Sequence, residues 1–252
     1  MRNLLTALAA LVIVVAAGAA YYFGTKDEAA VGSSQAPGSS MLSQSTAAGT
    51  AATSPSTSAQ SAQTEQPEIG PEEHVLGKAD APVTIIEYAS MTCPHCADFH
   101  AKTMPRIKAD YIDKGLVRFV FRPFPLDKLA ARATLLAQCA PGDGYFSMID
   151  ILFRSQNDWS RAPDQIAALK QIGRTVGLSD ADMDRCMADE ASVNKIVAGM
   201  QDAQARFGIN STPSFVVNGK TYTNRPMEDF EGEDGTMQPG FDKIIKDLLP
   251  KT

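Results

Sequence analysis

Hydrophobic positions divide the chain into three stretches of different character. Leu4 to Phe23 is an uninterrupted uncharged run preceded by Arg2. Twenty residues at about 1.5 Å each reach roughly 30 Å, the thickness of a bilayer's hydrocarbon core. From residue 29 to 64 there is no charge, no aromatic and no apolar period; only Val31, Met41 and Leu42 fall outside Ala, Gly, Ser, Thr, Gln and Pro. Such a stretch has nothing to bury against the entropy of ordering. It reads as a flexible linker, with an r.m.s. reach on the order of 32–38 Å. Periodic patterns begin only after it, so the expected organisation is an N-terminal segment over 1–24, a linker over 25–67 and one folded domain over 68–252.

Within that domain, Val83 to Ser90 is rich in β-branched and apolar residues and predicts a buried central strand. A helical pattern follows to about Ile107. Val117 to Arg122 predicts a second strand, closed by Pro123 and Pro125. A block of helices comes next. Asp127 to Ala140 ends at Pro141-Gly142-Asp143-Gly144. Tyr145, Met148, Ile149, Leu152 and Phe153 then follow the helical period. Ile166, Leu169, Ile172 and Val176 continue it, and Ser179 with Asp182 resembles a capping box. Val193, Ile196, Val197, Met200 and Phe207 form another stripe, closed by Gly208. Ser214 to Val217, the pair Asn218-Gly219 and Lys220 to Thr223 predict a hairpin with a type I′ turn. A last helix holds Phe241, Ile244, Ile245, Leu248 and Leu249. Strands flanking a helical block define an α/β fold with a helical insertion over 126–204.

Two forms of the first segment compete. A cleaved signal peptide needs a short apolar core and a small-x-small site, which Ala17-Gly18-Ala19 could supply. A retained anchor fits the greater length, with Tyr21, Tyr22 and Phe23 as interfacial aromatics before Lys26. Either places the rest of the chain on the extracytoplasmic side, the periplasm, with tethering by residues 4–23 in the second case. Lys+Arg 23 against Asp+Glu 29 gives a net charge of -6. That balance lacks the basic surface that nucleic acid requires.

The sharpest chemical signal is Cys93-Pro94-His95-Cys96 between the first strand and its helix. Two thiols at a helix start can close a small disulfide. The first sits where unpaired backbone N–H groups and the helix dipole favour a thiolate. Pro94 is tolerated in the first turn, having no N–H to lose. A protonated His95 would add positive charge beside the first sulfur.

With Glu87 six residues upstream, Arg122-Pro123-Phe124-Pro125-Leu126 ahead of the helical block, and Thr212-Pro213-Ser214-Phe215-Val216-Val217-Asn218-Gly219 far downstream, the sequence resembles the DsbA family of disulfide oxidoreductases. The resemblance runs from about His74 to the last helix. It implies a thioredoxin fold with an inserted helical domain and the oxidation of substrate thiols. It also implies that Cys93 is the exposed nucleophile, that Cys96 is its buried partner, and that His95 tunes the thiolate. Thr212-Pro213 would face the sulfurs across a cis peptide and pair with an extended substrate. Glu87 would be a buried acid beneath Cys96 that relays its proton; the alternative is a partly exposed strand residue without a part in catalysis. No cofactor is implied. The family's archetype has a thiol pKa of about 3.5 and a potential of about −120 mV, against about 7 and −270 mV for thioredoxin, so an acidic first thiol goes with an oxidising centre.

Cys139 and Cys186 fall on helices of the insertion. In an oxidising compartment they form a structural bridge; otherwise they are two inert buried thiols. Cys93, Cys96 and His100 could share a helix face, the best case for zinc or copper. A structural zinc takes four ligands, and no second Cys/His pair has ligand spacing, so no metal is expected. His100 and His74 read as surface residues and Trp159 as a packing residue.

Three functions follow. The first is an oxidase for reduced exported proteins, re-oxidised by a DsbB-like quinone-linked membrane partner. The second is an isomerase or reductase of the same fold. The third is a membrane-tethered binding or metal-carrying module with redox-inert cysteines. Isomerases often need dimers, and residues 29–64 lack the heptads of a dimerisation stalk, which favours a monomer.

Overall fold

A computed structural model describes residues 66–251. The expected apolar segment at 4–23 and all of the linker but Gln66 and Pro67 lie outside the described residues. Among those described, no helix is long and apolar enough to cross a membrane.

The centre is a five-stranded sheet in the order β1-β3-β2-β4-β5. Its strands are β1 (Val75–Leu76), β2 (Val83–Ala89), β3 (Val117–Pro123), β4 (Ser214–Val217) and β5 (Lys220–Thr223). β2 runs parallel to β3 and antiparallel to β4, which puts Glu87 level with Phe121 on one side and Phe215 on the other. All seven residues of β2 are buried. A strand covered on both faces reads as a continuous apolar run, as this one does. Alternation still decides which face each side chain takes. Val83, Ile85 and Ala89 join the larger core with Cys93, Cys96 and Phe99, whereas Ile86 and Tyr88 join a smaller one with Val120, Phe124 and Val216. Glu87 has the parity of the first set.

From β2 the chain enters α1 (Pro94–Asp98), a π-helical stretch Phe99–Thr103, α2 (Met104–Ile107) and a second π-helical stretch Lys108–Ile112. The periodicity predicted helix only to about Ile107. Pro105 has no N–H to give, and its ring crowds the carbonyl four residues back. The wider turns, bonded five residues apart, make room for it and carry the helix on.

Among the described residues six helices separate β3 from β4: α3 (Lys128–Gln138), α4 (Tyr145–Arg154), α5 (Gln156–Ser160), α6 (Gln165–Thr175), α7 (Asp180–Met187) and α8 (Glu190–Phe207). Side-chain oxygens of Asp127, Asp164, Ser179 and Asp189 accept from the first-turn N–H groups of α3, α6, α7 and α8. The apolar stripe of α4 is buried throughout. That of α8 is not: Ile196 is buried but Val197 is 43% exposed. Met200, Ala203 and Phe207 pack on the smaller core, whose width takes only one edge of the helix.

After α8, Gly208 adopts φ 66, the left-handed cap that glycine favours. Asn218 and Gly219 turn the β4–β5 hairpin at φ 42 and 87, both positive as a type I′ turn demands. The Asn218 side chain also accepts from the Thr84 N–H at 2.8 Å, tying the hairpin to β2. A small pair, β6 (Phe230–Glu231) and β7 (Met237–Gln238), and the closing helix α9 (Phe241–Leu248) complete the chain. Parallel β2 and β3 joined by a helix, the β4–β5 hairpin and α9 form a thioredoxin fold, with α3 to α8 inserted between its halves.

Cys139 caps α3 and is joined by a disulfide to Cys186 on α7, 47 residues along. Loop-closure entropy for such a ring contributes about 4 kcal/mol to stability. The double variant Cys139→Ser/Cys186→Ser is therefore expected to unfold at markedly lower urea while its Cys93 keeps its reactivity. An unchanged midpoint, or loss of exchange activity in a folded variant, contradicts this purely structural part.

Candidate active site

Two loops and one helix meet at the amino end of α1. The first is Ser90 to Cys93. The Cys93 N–H bonds to the Ser90 carbonyl at 3.0 Å, and extended dihedrals of φ -79 and ψ 120 make Cys93 the N-cap. Pro94 follows in the first turn, where its missing N–H costs nothing. The Thr92 hydroxyl donates to Asp127 at 2.6 Å, fastening this loop to the start of α3. The second contribution is the buried Gln156 of α5, whose amide donates to the carbonyls of Met91 at 2.8 Å and Cys93 at 2.9 Å. The third is the loop before β4, with a cis Thr212–Pro213 peptide and the Pro213 carbonyl held by the Asn224 N–H at 3.0 Å.

Thr212 lies directly against the first sulfur, its carbonyl 3.3 Å from the Cys93 Sγ, which donates to it as a thiol. Cys93 is only 4% exposed. The exposed nucleophile implied by the resemblance is thus corrected: Cys93 is buried, with the Thr212 carbonyl against its sulfur. Cys96 is fully buried, and the two cysteines are free thiols.

The two sulfurs titrate in opposite directions. The Cys93 thiol is lowered from 9.0 to about 5. The largest cause is the Cys96 S–H aimed at it. Burial opposes ionisation, and the Thr212 side chain and the backbone N–H groups of Cys96 and His95 add to the lowering. Ionisation gives up the bond to the Thr212 carbonyl in exchange for these donors. Burial pushes Cys96 far up, and the Cys93 sulfur and the charge of Glu87 push it further. The pair therefore holds one proton near neutrality, on Cys96. Pro94 and His95 are exposed, and the His95 backbone N–H contributes to the lowering.

Glu87 is fully buried in β2, and its Oε2 lies 2.8 Å from the His100 Nε2. The expectation of a surface His100 is overturned, since it is 4% exposed with Phe153 stacked on its ring at 4.2 Å. Its place on the helix explains this: Cys96, Phe99, His100 and Thr103 form one buried stripe. His74 is exposed and stacks on Tyr145 at 3.9 Å. Trp159 is 1% exposed with its N–H on the Leu152 carbonyl. Among the described residues no group of three or more His, Cys, Asp or Glu is placed to hold a metal ion. Gln156 is the site residue that sequence patterns missed. It opens a five-residue helix too short to show a period.

An acidic N-cap cysteine, a buried protonated partner and a facing loop, all on a thioredoxin sheet, define a thiol:disulfide oxidoreductase. A thioredoxin family model matches residues 70–232. A Rickettsia bellii protein described as a protein-disulfide oxidoreductase is 29% identical, over 73% of this chain and 69% of its own. The disulfide bond formation protein D of Bacillus subtilis is likewise 29% identical, over 60% and 69%. The crystal structure of alpha-DsbA1 from Wolbachia pipientis superposes with a TM-score of 0.59 at 30% identity, covering 71% of this chain and 92% of that one. The chain spans between 57% and 71% of the length of the Rickettsia relatives it matches. It belongs to the thioredoxin family and, within it, to the DsbA family of disulfide oxidoreductases.

Proposed function

We propose that the protein works as an oxidase that passes a Cys93–Cys96 disulfide to reduced exported proteins. The observation that carries this reading is the pairing of an acidic Cys93 with a Cys96 that keeps its proton. Ionisation at neutral pH stabilises the reduced centre, so its disulfide is readily given away. A substrate thiolate attacks the Cys93 sulfur and opens the bond to Cys96, which leaves and takes a proton. A second substrate thiolate then attacks the substrate sulfur of the mixed disulfide, and Cys93 departs as a thiolate. Two electrons enter the enzyme and one net proton is released.

In this reading Thr212 and Pro213 offer backbone to an extended substrate segment, Pro94 and His95 shape the helix tip, and Glu87 exchanges the proton of Cys96. The domain over 68–252 acts on the extracytoplasmic side as a monomer, held near the membrane by residues 4–23 across the linker. A DsbB-like quinone-linked membrane oxidase withdraws the two electrons.

Equilibration of the full chain with glutathione buffers tests the direction. Replacing a thiol pKa of 9.0 by about 5 contributes roughly 60 mV at pH 7. A potential raised from thioredoxin's value of about −270 mV toward that of the oxidising archetype, about −120 mV, is expected. A value far below about −200 mV makes the protein a reductase or an isomerase kept reduced.

A further inference from the structure

The protein interior holds a buried polar pair, Glu87 and His100. Glu87 uses Oε2 on His100, while its Oε1 meets no hydrogen-bonding partner among the described residues. A carboxyl sealed among apolar side chains with one oxygen idle is costly to keep. His100 is held rigidly, stacked on Phe153 and met edge-on by Phe99. The imidazole also lines a cleft of about 650 Å³ together with Met104, Tyr145 and Ile149, and neither Cys93 nor Cys96 lines it.

The charged groups around this cleft are largely accounted for. Lys108 pairs with Asp113 on its own helix, and Arg154 pairs with Asp150 on the facing α4. Asp143 lies on the exposed rim. His74, beside β1, stacks on Tyr145. The Tyr145 hydroxyl stays neutral, pushed up by burial and then by the charges of Glu73 and Glu87. His100 is the basic side chain that touches both the cleft and the buried carboxyl.

We propose that His100 connects Glu87 to water in this cleft, forming a proton path to Cys96 that is separate from the loop where substrate docks. The path rests on the oxidase reading above and adds its solvent port. When the Cys93–Cys96 bond opens, Cys96 leaves with the electron pair and needs one proton. His100 hands a proton to the Glu87 carboxylate, Glu87 passes it to Cys96, and cleft water restores the proton of His100. One proton enters per bond opened, and the same path carries it out on re-oxidation. The device has a physical motive. Cys96 is so resistant to ionisation that it leaves slowly as a bare anion, because leaving-group ability falls as thiol pKa rises.

The experiment is single-turnover oxidation of a dithiol peptide by the oxidised full chain, followed from pH 5 to 8 in H2O and D2O. His100→Gln keeps a hydrogen bond to Glu87 but cannot carry a proton, and is expected to be slower by about tenfold or more, with an altered pH profile. His100→Ala opens the cleft, and free imidazole is expected to restore its rate. A purely structural role predicts no such rescue. The path is overturned if folded His100→Gln matches wild type in rate and pH profile, or if imidazole leaves His100→Ala unchanged. If wild type itself fails to oxidise the peptide, the oxidase reading falls instead.

Discussion

Cys93→Ser is expected to abolish disulfide exchange outright, while Cys96→Ser is expected to trap a mixed disulfide with substrate. The asymmetry follows from the two environments. Cys93 is the sulfur that touches the facing Thr212 loop, whereas Cys96 is fully enclosed and can act only on a disulfide already held at Cys93. In Cys96→Ser the Cys93 thiolate attacks a substrate disulfide, so the covalent intermediate forms on Cys93. Without Cys96 the enzyme has no internal route to resolve it. The measurement is non-reducing electrophoresis of each variant after incubation with a disulfide-bonded peptide or protein, one sulfur of which stays on Cys93 while the other leaves as a thiolate. Adducts on Cys93→Ser, or none on Cys96→Ser, reverse the assignment of the two sulfurs.

The second large effect is a pH dependence. Cys93 is expected to be alkylated with a midpoint near pH 5, four units below an ordinary thiol. At pH 5 about half of it is ionised, against roughly one part in ten thousand for a thiol of pKa 9. The lower intrinsic nucleophilicity of an acidic thiolate takes back part of this, leaving an advantage of roughly 50- to 100-fold. Burial at 4% exposure slows every reagent, so the midpoint is the better readout than the absolute rate.

The same shift acts on stability. The folded value lies below the unfolded one, so the contribution is complete above about pH 9 and is lost as pH falls through about 5. At pH 7 it is on the order of 2 kcal/mol for the reduced protein, after allowance for screening. Urea unfolding of the reduced chain is expected to show this decline between pH 7 and 4, and Cys93→Ser to remove it. A midpoint near 9 with a flat stability profile would leave the centre without its oxidising character.

Much of the site could be read from the chain because its signals are local. β2 announces itself by a run of apolar residues with a single charge in it, and the Cys93-Pro94-His95-Cys96 motif lies at the strand-to-helix junction where a thiolate is stabilised. What escaped depends on contacts between distant segments. Gln156 reaches the Met91 and Cys93 carbonyls from 65 and 63 residues away, and nothing near it in sequence marks that reach. His100 was legible in principle, since it continues the stripe of Cys96 and Phe99. A polar residue on an apolar stripe is easily assigned to the surface, and only its bond to Glu87 explains the burial. The narrow footprint of α8 left Val197 outside, because a helical period shows which residues share a face and not how wide its partner is. β1, β6 and β7 have two residues each, too few for any alternation.

The bridge between Cys139 and Cys186 gives the molecule a double standing in the chemistry proposed for it. Every fresh copy arrives as a customer, carrying a pair of thiols that something else must join before its inserted helices reach full strength. Supply of this catalyst then depends on oxidising capacity already in place, so a cell recovering from reducing stress would regain it slowly at first and faster as mature copies accumulate.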